Sequence, residues 1–215
     1  MGRLCVLCLE KQLEMYDKEM YLYGAGGHAK VILDILEAQG YEVAGVVDDN
    51  PALTEFMGKP VLHGAKDVSP VIISIGINGI RRKVVEKLDP QTVFGTAIHP
   101  SAIVSPHAKV AEGTVVMQGA IVQSCVQVGR HCIINTGASV DHDCVLGDFV
   151  HISPHATLCG NVSVGEGSWI GAGSVMIPGI RIGKNCVIGA GSVVCKDVPD
   201  GVKAYGNPCK IVEVL

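Results

Sequence analysis

The sequence predicts a small α/β unit followed by a parallel β-helix. Three observations point there: strand–helix alternation over residues 20–93, an unbroken six-residue repeat from Ala97, and a hydrophobic content built from aliphatics rather than rings. The chain has 215 residues, 48% hydrophobic and only 4% aromatic, with 27 glycines. Few rings and many β-branched residues suit narrow cores made of strands.

The first unit is read over 20–96. Met20–Tyr23 is a short strand and Gly24-Ala-Gly-Gly27 a tight turn. His28 to Gln39 carries Val31, Ile32, Ile35 and Leu36 at helical spacing and stops at Gly40. Tyr41–Val47 and Val71–Ile75 are further strands, and Asn78–Leu88 a second helix. Such alternation implies a small parallel sheet with helices on its faces, a Rossmann-like βαβ arrangement.

The second unit is read over 97–198, with 199–215 as a C-terminal tail and 1–19 as an N-terminal extension. Written in sixes from Ala97-Ile98, the second position is aliphatic in seventeen consecutive hexads, Ile98 through Val194. Four residues after each aliphatic stands a small or slim residue, such as Ala120, Ala138, Cys144 or Ser174. Glycine often follows the aliphatic, as at Gly129, Gly147 and Gly183. A short strand and a corner, repeated, make a solenoid in which like residues stack on like. Cys132, Cys144 and Cys186 fall on the small inward positions and read as small hydrophobes.

Composition excludes several classes. The net charge is -4 with no block of Lys or Arg, so a nucleic-acid partner is not expected. No apolar run approaches the roughly 18–20 residues of a membrane span. Nine cysteines, an odd number without a disulfide framework, favour a reducing, cytoplasmic setting. Cys5-Val-Leu-Cys8 is a lone pair of thiols and reads as inert.

The hexads, with the tail Tyr205-Gly-Asn-Pro-Cys-Lys210, resemble the left-handed β-helix acyltransferases with hexapeptide repeats, although Cys209 stands where that family usually has Ala. The resemblance implies three hexads per coil, a triangular prism and a homotrimer with active sites between subunits. From Met20 onward the chain is similar to a narrower group, the sugar O/N-acetyltransferases of the sialic acid O-acetyltransferase and UDP-4-amino-sugar N-acetyltransferase type. Tyr23-Gly-Ala-Gly-Gly-His-Ala29, Val47-Asp-Asp49, Ser74-Ile-Gly-Ile-Asn78 with Arg81-Arg82, and Asn135-Thr-Gly-Ala-Ser-Val-Asp-His-Asp-Cys144 followed by His151 carry that similarity in order.

Acyl transfer from a thioester to an amine needs a base for the acceptor proton and donors for the oxyanion. Asp141-His142-Asp143 offers an imidazole among carboxylates. The resemblance makes His142 the base and Asp143 its acidic partner. One coil of eighteen residues then sets Gly160 over His142, and the Gly160 N–H is the oxyanion donor the family implies. By the same resemblance His151 contacts the acetyl-CoA thioester or pantetheine, Ala172 and Ala190 floor the coenzyme A groove, and Pro208 and Lys210 stand near the adenine end. Asn135 orients the acceptor. Gly26, Gly27 and His28 are assigned to the diphosphate-sugar, Asp48 and Asp49 to the uracil or ribose side, and Asn78, with Arg81, to the pocket wall. Read without the family, Arg81 and Arg82 look like a solvated helix face, and His99, His107, His131 and His155 like surface residues. Gly24-x-Gly26-x-x-Ala29 with Asp48 also resembles a dinucleotide fingerprint, but a unit of about 75 residues is half of such a fold.

The sequence therefore predicts an acetyl-CoA-dependent N-acetyltransferase acting on a UDP-linked 4-amino sugar in bacterial surface-glycan synthesis, with no metal expected. A sugar O-acetyltransferase uses the same chemistry on a hydroxyl. A metal-dependent carbonic-anhydrase-type β-helix with three histidines, and a non-catalytic solenoid, are the readings from other classes.

Overall fold

A computed structural model describes residues 18–64 and 68–215. Cys5, Cys8 and nearly all of the N-terminal extension lie outside the described residues.

The first unit is a five-stranded sheet with helices. Its strands are β1 (Glu19–Tyr23), β2 (Glu42–Val47), β3 (Glu55–Phe56), β4 (Lys59–Leu62) and β5 (Val71–Ile73), in the order β3-β4-β2-β1-β5. β1, β2, β4 and β5 run parallel, and β3 pairs antiparallel with β4. Helix α1 (Gly27–Ala38) follows β1 and helix α2 (Asn78–Lys87) follows β5. The alternation gives three of these strands. It does not give the hairpin of β3 and β4, whose strands of two and four residues are too short to show a period. Its signal is the turn Met57-Gly58, where both residues have positive φ (49° and 76°), the geometry of a two-residue hairpin loop.

The second unit opens with seventeen two-residue strands, β6 (Ala97–Ile98) to β22 (Val193–Val194), each ending on the aliphatic of its hexad. Pairing always joins residues eighteen apart, as in Ile133↔His151 and Ile121↔Ser139, so three hexads make one coil. Three sheets result. The first stacks Ala97–Ile98, Val115–Val116, Ile133–Ile134, His151–Ile152, Trp169–Ile170 and Val187–Ile188. The second stacks the strands from Ile103–Val104 to Val193–Val194, and the third those from Lys109–Val110 to Arg181–Ile182. The residues 199–215 end as a hairpin of β23 (Val202–Gly206) and β24 (Cys209–Val214), with β23 added parallel to Val187–Ile188 of the first sheet.

The inward aliphatics and the small residues four positions on form one buried column. At several of the small positions a hydroxyl or thiol donates to a corner carbonyl fifteen residues on: Thr114 to Gly129 at 2.8 Å, Cys132 to Gly147 at 3.1 Å, Ser168 to Gly183 at 2.7 Å. Corner carbonyls would otherwise be buried without partners, which costs about 1–3 kcal/mol each. Two of the inward cysteines, Cys132 and Cys144, are held as thiols. Burial pushes Cys132 up to about 12 and Cys144 up to about 11.

The two units are locked by Arg81. Read as a solvated helix residue, it is instead 1% exposed. Its Nε donates to His131 O, one terminal nitrogen to Ile75 O and Gly76 O, and the other to Phe149 O and Asn78 Oδ1, at 2.8–3.1 Å. All five guanidinium protons are thus used, two of them on carbonyls of the β-helix. His131 is likewise buried, at 1% exposure, against an edge-on Phe94 (4.6 Å) and a stacked Phe149 (5.1 Å). Local sequence does not reveal either burial, because docking of the first unit causes both. Replacing Arg81 by Met strands these carbonyls and should lower unfolding stability by about 3–5 kcal/mol, read as a drop in the urea midpoint.

Candidate active site

His142 occupies the corner between the second and third sheets, after Ser139–Val140. Its Nδ1 lies 2.8 Å from Asp143 Oδ2. A carboxylate only accepts, so the ring proton sits on Nδ1 and Nε2 keeps its lone pair. Asp143 holds a left-handed backbone (φ 61°), and its N–H reaches Ser124 O one coil below at 3.1 Å. The Asp141 carboxylate accepts the His142 N–H at 2.8 Å. These two acidic neighbours, Asp143 first, raise the His142 pKa above the ordinary histidine value.

Gly160 lies against the ring. A Cβ there would stand 2.6 Å from both Cε1 and Nε2 of His142. Gly160 is buried, and its N–H has no acceptor among the described residues. The eighteen-residue spacing alone is not special to this corner: Gly113 lies against His131 and Gly137 against His155 in the same way. What sets His142 apart from both is the carboxylate on its ring nitrogen. His155 is exposed, as expected of a corner histidine.

On the first sheet a second constellation forms. Asn135 Oδ1 accepts the Thr136 N–H at 2.8 Å, which turns Asn135 Nδ2 toward His151 Nε2 at 3.1 Å. His151 therefore accepts at Nε2 and carries its proton on Nδ1. Its ring stacks on Trp169 (5.3 Å, 9°), and Trp169 Nε1 donates to Ser153 Oγ at 2.7 Å. His151, Ala172 and Ala190 line one groove of about 450 Å³ with Trp169, Pro154 and Val187. Sequence reading missed Trp169; as the first residue of its hexad it points outward, and an outward indole in a ring-poor chain is the available signal. Lys210 is placed elsewhere, in a separate pocket of about 350 Å³ with Cys195, Pro208 and Cys209.

In the first unit the turn before α1 presents Gly26 and Gly27. Neither has positive φ and a Cβ at either would meet nothing within 4 Å, so neither backbone strain nor packing demands glycine there. Helix α1 has no side-chain cap and no acidic residue in its first turn, which leaves its N-terminal N–H groups for an anion. His28 packs with its ring 6.5 Å from that of His151, across the junction. Asp48 serves the turn itself: its two carboxylate oxygens accept from Ala25 N (2.8 Å) and Asn50 N (2.9 Å). Asp49 is exposed and accepts from Tyr23 OH at 3.2 Å. Burial, followed by Asp49, raises the Tyr23 pKa.

Asn78, expected in the pocket wall, stands in the junction instead. It is 7% exposed, donates to Gly167 O (3.0 Å) and Ser168 O (3.2 Å), and accepts from Arg81. Its amide is spent joining the units. Among the described residues no group of three His, Cys, Asp or Glu is placed to hold a metal ion, and no helix is long and apolar enough to cross a membrane.

A prism of hexapeptide coils bearing a carboxylate-oriented histidine over a glycine, joined to an α/β unit with an open helix N-terminus, defines the class of hexapeptide-repeat acyltransferases. The comparisons agree. The family model of the PglD N-terminal domain matches residues 19–88, and the bacterial transferase hexapeptide model (six repeats) matches residues 161–196. UDP-N-acetylbacillosamine N-acetyltransferase of Bacillus subtilis is 43% identical over 106 residues, 44% of this chain and 49% of that protein. A protein of Acanthamoeba polyphaga mimivirus is 34% identical over 70 residues, so the match spans only 14% of that protein and about half of the Bacillus one. The acetyltransferase domain of PglB from Neisseria gonorrhoeae is 38% identical with a TM-score of 0.86, covering 91% of this chain and 100% of that one. PerB from Caulobacter crescentus, solved with CoA and GDP-perosamine, is 41% identical with a TM-score of 0.86, covering 91% and 97%. The chain belongs to the left-handed β-helix sugar acetyltransferases.

Three histidines at the junction sit beside Arg81. Burial first, then nearby arginine charge, lowers His28 to about 4, His131 to about 4 and His151 to about 3. The unfolded chain binds protons on these groups near pH 6.5, before the folded chain does. Stability should therefore be level above about pH 6.5 and fall as pH drops toward 4, by about 3 kcal/mol for each such histidine. Urea midpoints measured across that range check this.

Proposed function

We propose that the chain is an acetyl-CoA-dependent N-acetyltransferase acting on a nucleotide-linked 4-amino sugar in surface-glycan synthesis. The observation that carries the proposal is the His142–Asp143 pair with Nε2 set over Gly160. The acceptor nitrogen attacks the thioester carbonyl carbon while His142 Nε2 takes its proton. The negative charge forming on the carbonyl oxygen is met by the Gly160 N–H. Collapse of the tetrahedral intermediate breaks the carbon–sulfur bond, and the imidazolium returns its proton to the departing thiolate. Asp143 keeps the ring in the reactive tautomer and stabilises its charged form. The groove beside His151 takes the pantetheine arm, with Ala172 and Ala190 as its floor. The open turn of Gly26, Gly27 and His28 takes the diphosphate. Relatives support this reading: PerB is solved with CoA and GDP-perosamine, and the PglB domain with acetyl coenzyme A.

The site is completed by a second copy. His142 lies on the corner between sheets two and three, while Ala172 and Ala190 lie on the corner between sheets one and two. The second sheet separates them, and its outward row is Ile103, Ile121, Ser139, Thr157, Val175 and Val193, without a charge. Three copies packed with this sheet toward a common axis bring the base corner of one against the groove corner of the next. This is the arrangement of a homotrimer with shared sites.

Replacing His142 by Ala should lower kcat by about 100- to 10,000-fold, measured as CoA release with a nucleotide-linked 4-amino sugar; unchanged turnover would refute the mechanism. Acceptance of a hydroxyl sugar in place of the amine would move the assignment to O-acetylation.

The acid limb of kcat/KM reports the free enzyme's base, which must be neutral. With its pKa raised by Asp143, activity should rise with pH through a limb above the ordinary histidine value of about 6.5. Asp143→Asn should move that limb to lower pH and reduce the plateau. A limb that stays put removes Asp143 from the role.

A further inference from the structure

Strands β2 and β4 are parallel neighbours in the register Val46↔Val61 and Val47↔Leu62. Asp48 and His63 are therefore the first residues past adjacent strand ends, the edge of an open α/β sheet where ligands bind. The Asp48 main chain is held on both sides: its N–H donates to Leu62 O at 3.1 Å, and its carbonyl lies 3.1 Å from His63 Nδ1. A carbonyl only accepts, so the neutral His63 ring carries its proton on Nδ1 and offers a lone pair at Nε2. His63 is exposed, and its ring is anchored rather than free to turn.

Three polar groups at this edge keep unused capacity among the described residues. Asp49 accepts from Tyr23 OH through Oδ1, leaving Oδ2 as an acceptor. Asn50 Oδ1 accepts the Ala52 N–H at 3.1 Å, which leaves its Nδ2 as a donor. His63 Nε2 is the second acceptor. Asp48 adds nothing, since both its oxygens are taken. The edge thus offers one donor and two acceptors.

Nucleobases differ in what they return. Guanine presents an acceptor (O6) beside two donors (N1–H and the 2-amine). Uracil presents one donor (N3–H) between two carbonyl oxygens. One donor and two acceptors match the one acceptor and two donors of guanine. Uracil returns a single donor, so one acceptor of the edge would face a carbonyl; a lone pair at His63 Nε2 attracts the 2-amine of guanine and repels a uracil carbonyl.

We propose that Asp49, Asn50 and His63 read the nucleobase, that His63 is the specificity-determining residue, and that the nucleotide is guanosine diphosphate-linked rather than uridine diphosphate-linked. The proposal rests on the nucleotide-sugar reading of the site and narrows it. Sequence reading assigned Asp49 to the uracil or ribose side and did not single out His63.

Isothermal titration of the full chain with GDP, UDP and IDP, and separately with CoA, tests it. IDP lacks only the 2-amine. GDP should bind about tenfold or more tightly than both UDP and IDP, and His63→Phe should erase the difference between GDP and IDP while CoA binding stays as it was. UDP binding as tightly as GDP, IDP matching GDP, or a preference that survives in His63→Phe would each overturn the base assignment while leaving the nucleotide-sugar reading intact. Binding of CoA with no binding of any of the three nucleotides would overturn both.

Discussion

The guanidinium of Arg81 is the contact on which the rest of the structure depends. A buried cation without a carboxylate partner is costly unless each of its protons finds an oxygen. Here each does, and the oxygens come from both units. Burial lowers the Arg81 pKa only to about 10, so the charge persists at neutral pH. That fixed charge has two effects. It pins the loop of Ile75 and Gly76 to the β-helix, and it adds to the burial that already holds His28, His131 and His151 neutral around it. A neutral His151 can accept from Asn135, and a protonated one cannot. The junction is thus a mechanical joint whose burial, helped by its charge, also sets the hydrogen-bond roles beside the groove.

The solenoid supplies the second constraint. Its coil length is fixed by hydrogen bonds between like positions eighteen residues apart, so a side chain at a corner meets the residue one coil away and little else. This is why a glycine lies against each of His131, His142 and His155. A ring laid over the neighbouring corner excludes a Cβ beneath or above it. The spacing is therefore a steric rule of the fold, and chemistry is added to it at one corner by Asp143. Gly160 meets a steric requirement and, in the proposed mechanism, an electrostatic one.

The legible part of the sequence was the part governed by local period. The aliphatic of every hexad from Ile98 to Val194 closes a two-residue strand, and the inward cysteines are buried thiols as their positions implied. The pairing of His142 with Asp143 is between chain neighbours and was equally readable. What escaped depends on contacts between distant segments. Arg81 and Asn78 face solvent or ligand in a helix considered alone, and become junction residues only when α2 meets the corners near His131, Phe149 and Gly167. The hairpin of β3 and β4 escaped for a different reason: its strands are shorter than any period that could announce them.

The histidines divide by environment, and the division says where reaction can occur. His28, His131 and His151 are buried and held below their usual range, whereas His142 is exposed and held above it. A base must lose its proton to act, and an acyl-transfer centre must exclude water so that the thioester is not hydrolysed. The buried set satisfies the second condition but has spent or hidden its ring nitrogens. His142 has the free nitrogen, yet on a single chain its corner is open to solvent. Only a surface brought over that corner meets both conditions together. The uncharged row of the second sheet lies between the His142 corner and the groove corner, so in the proposed trimer the surface that shields the base is the one that carries the groove. In that arrangement assembly and catalysis have one cause, the outward side chains of a single sheet.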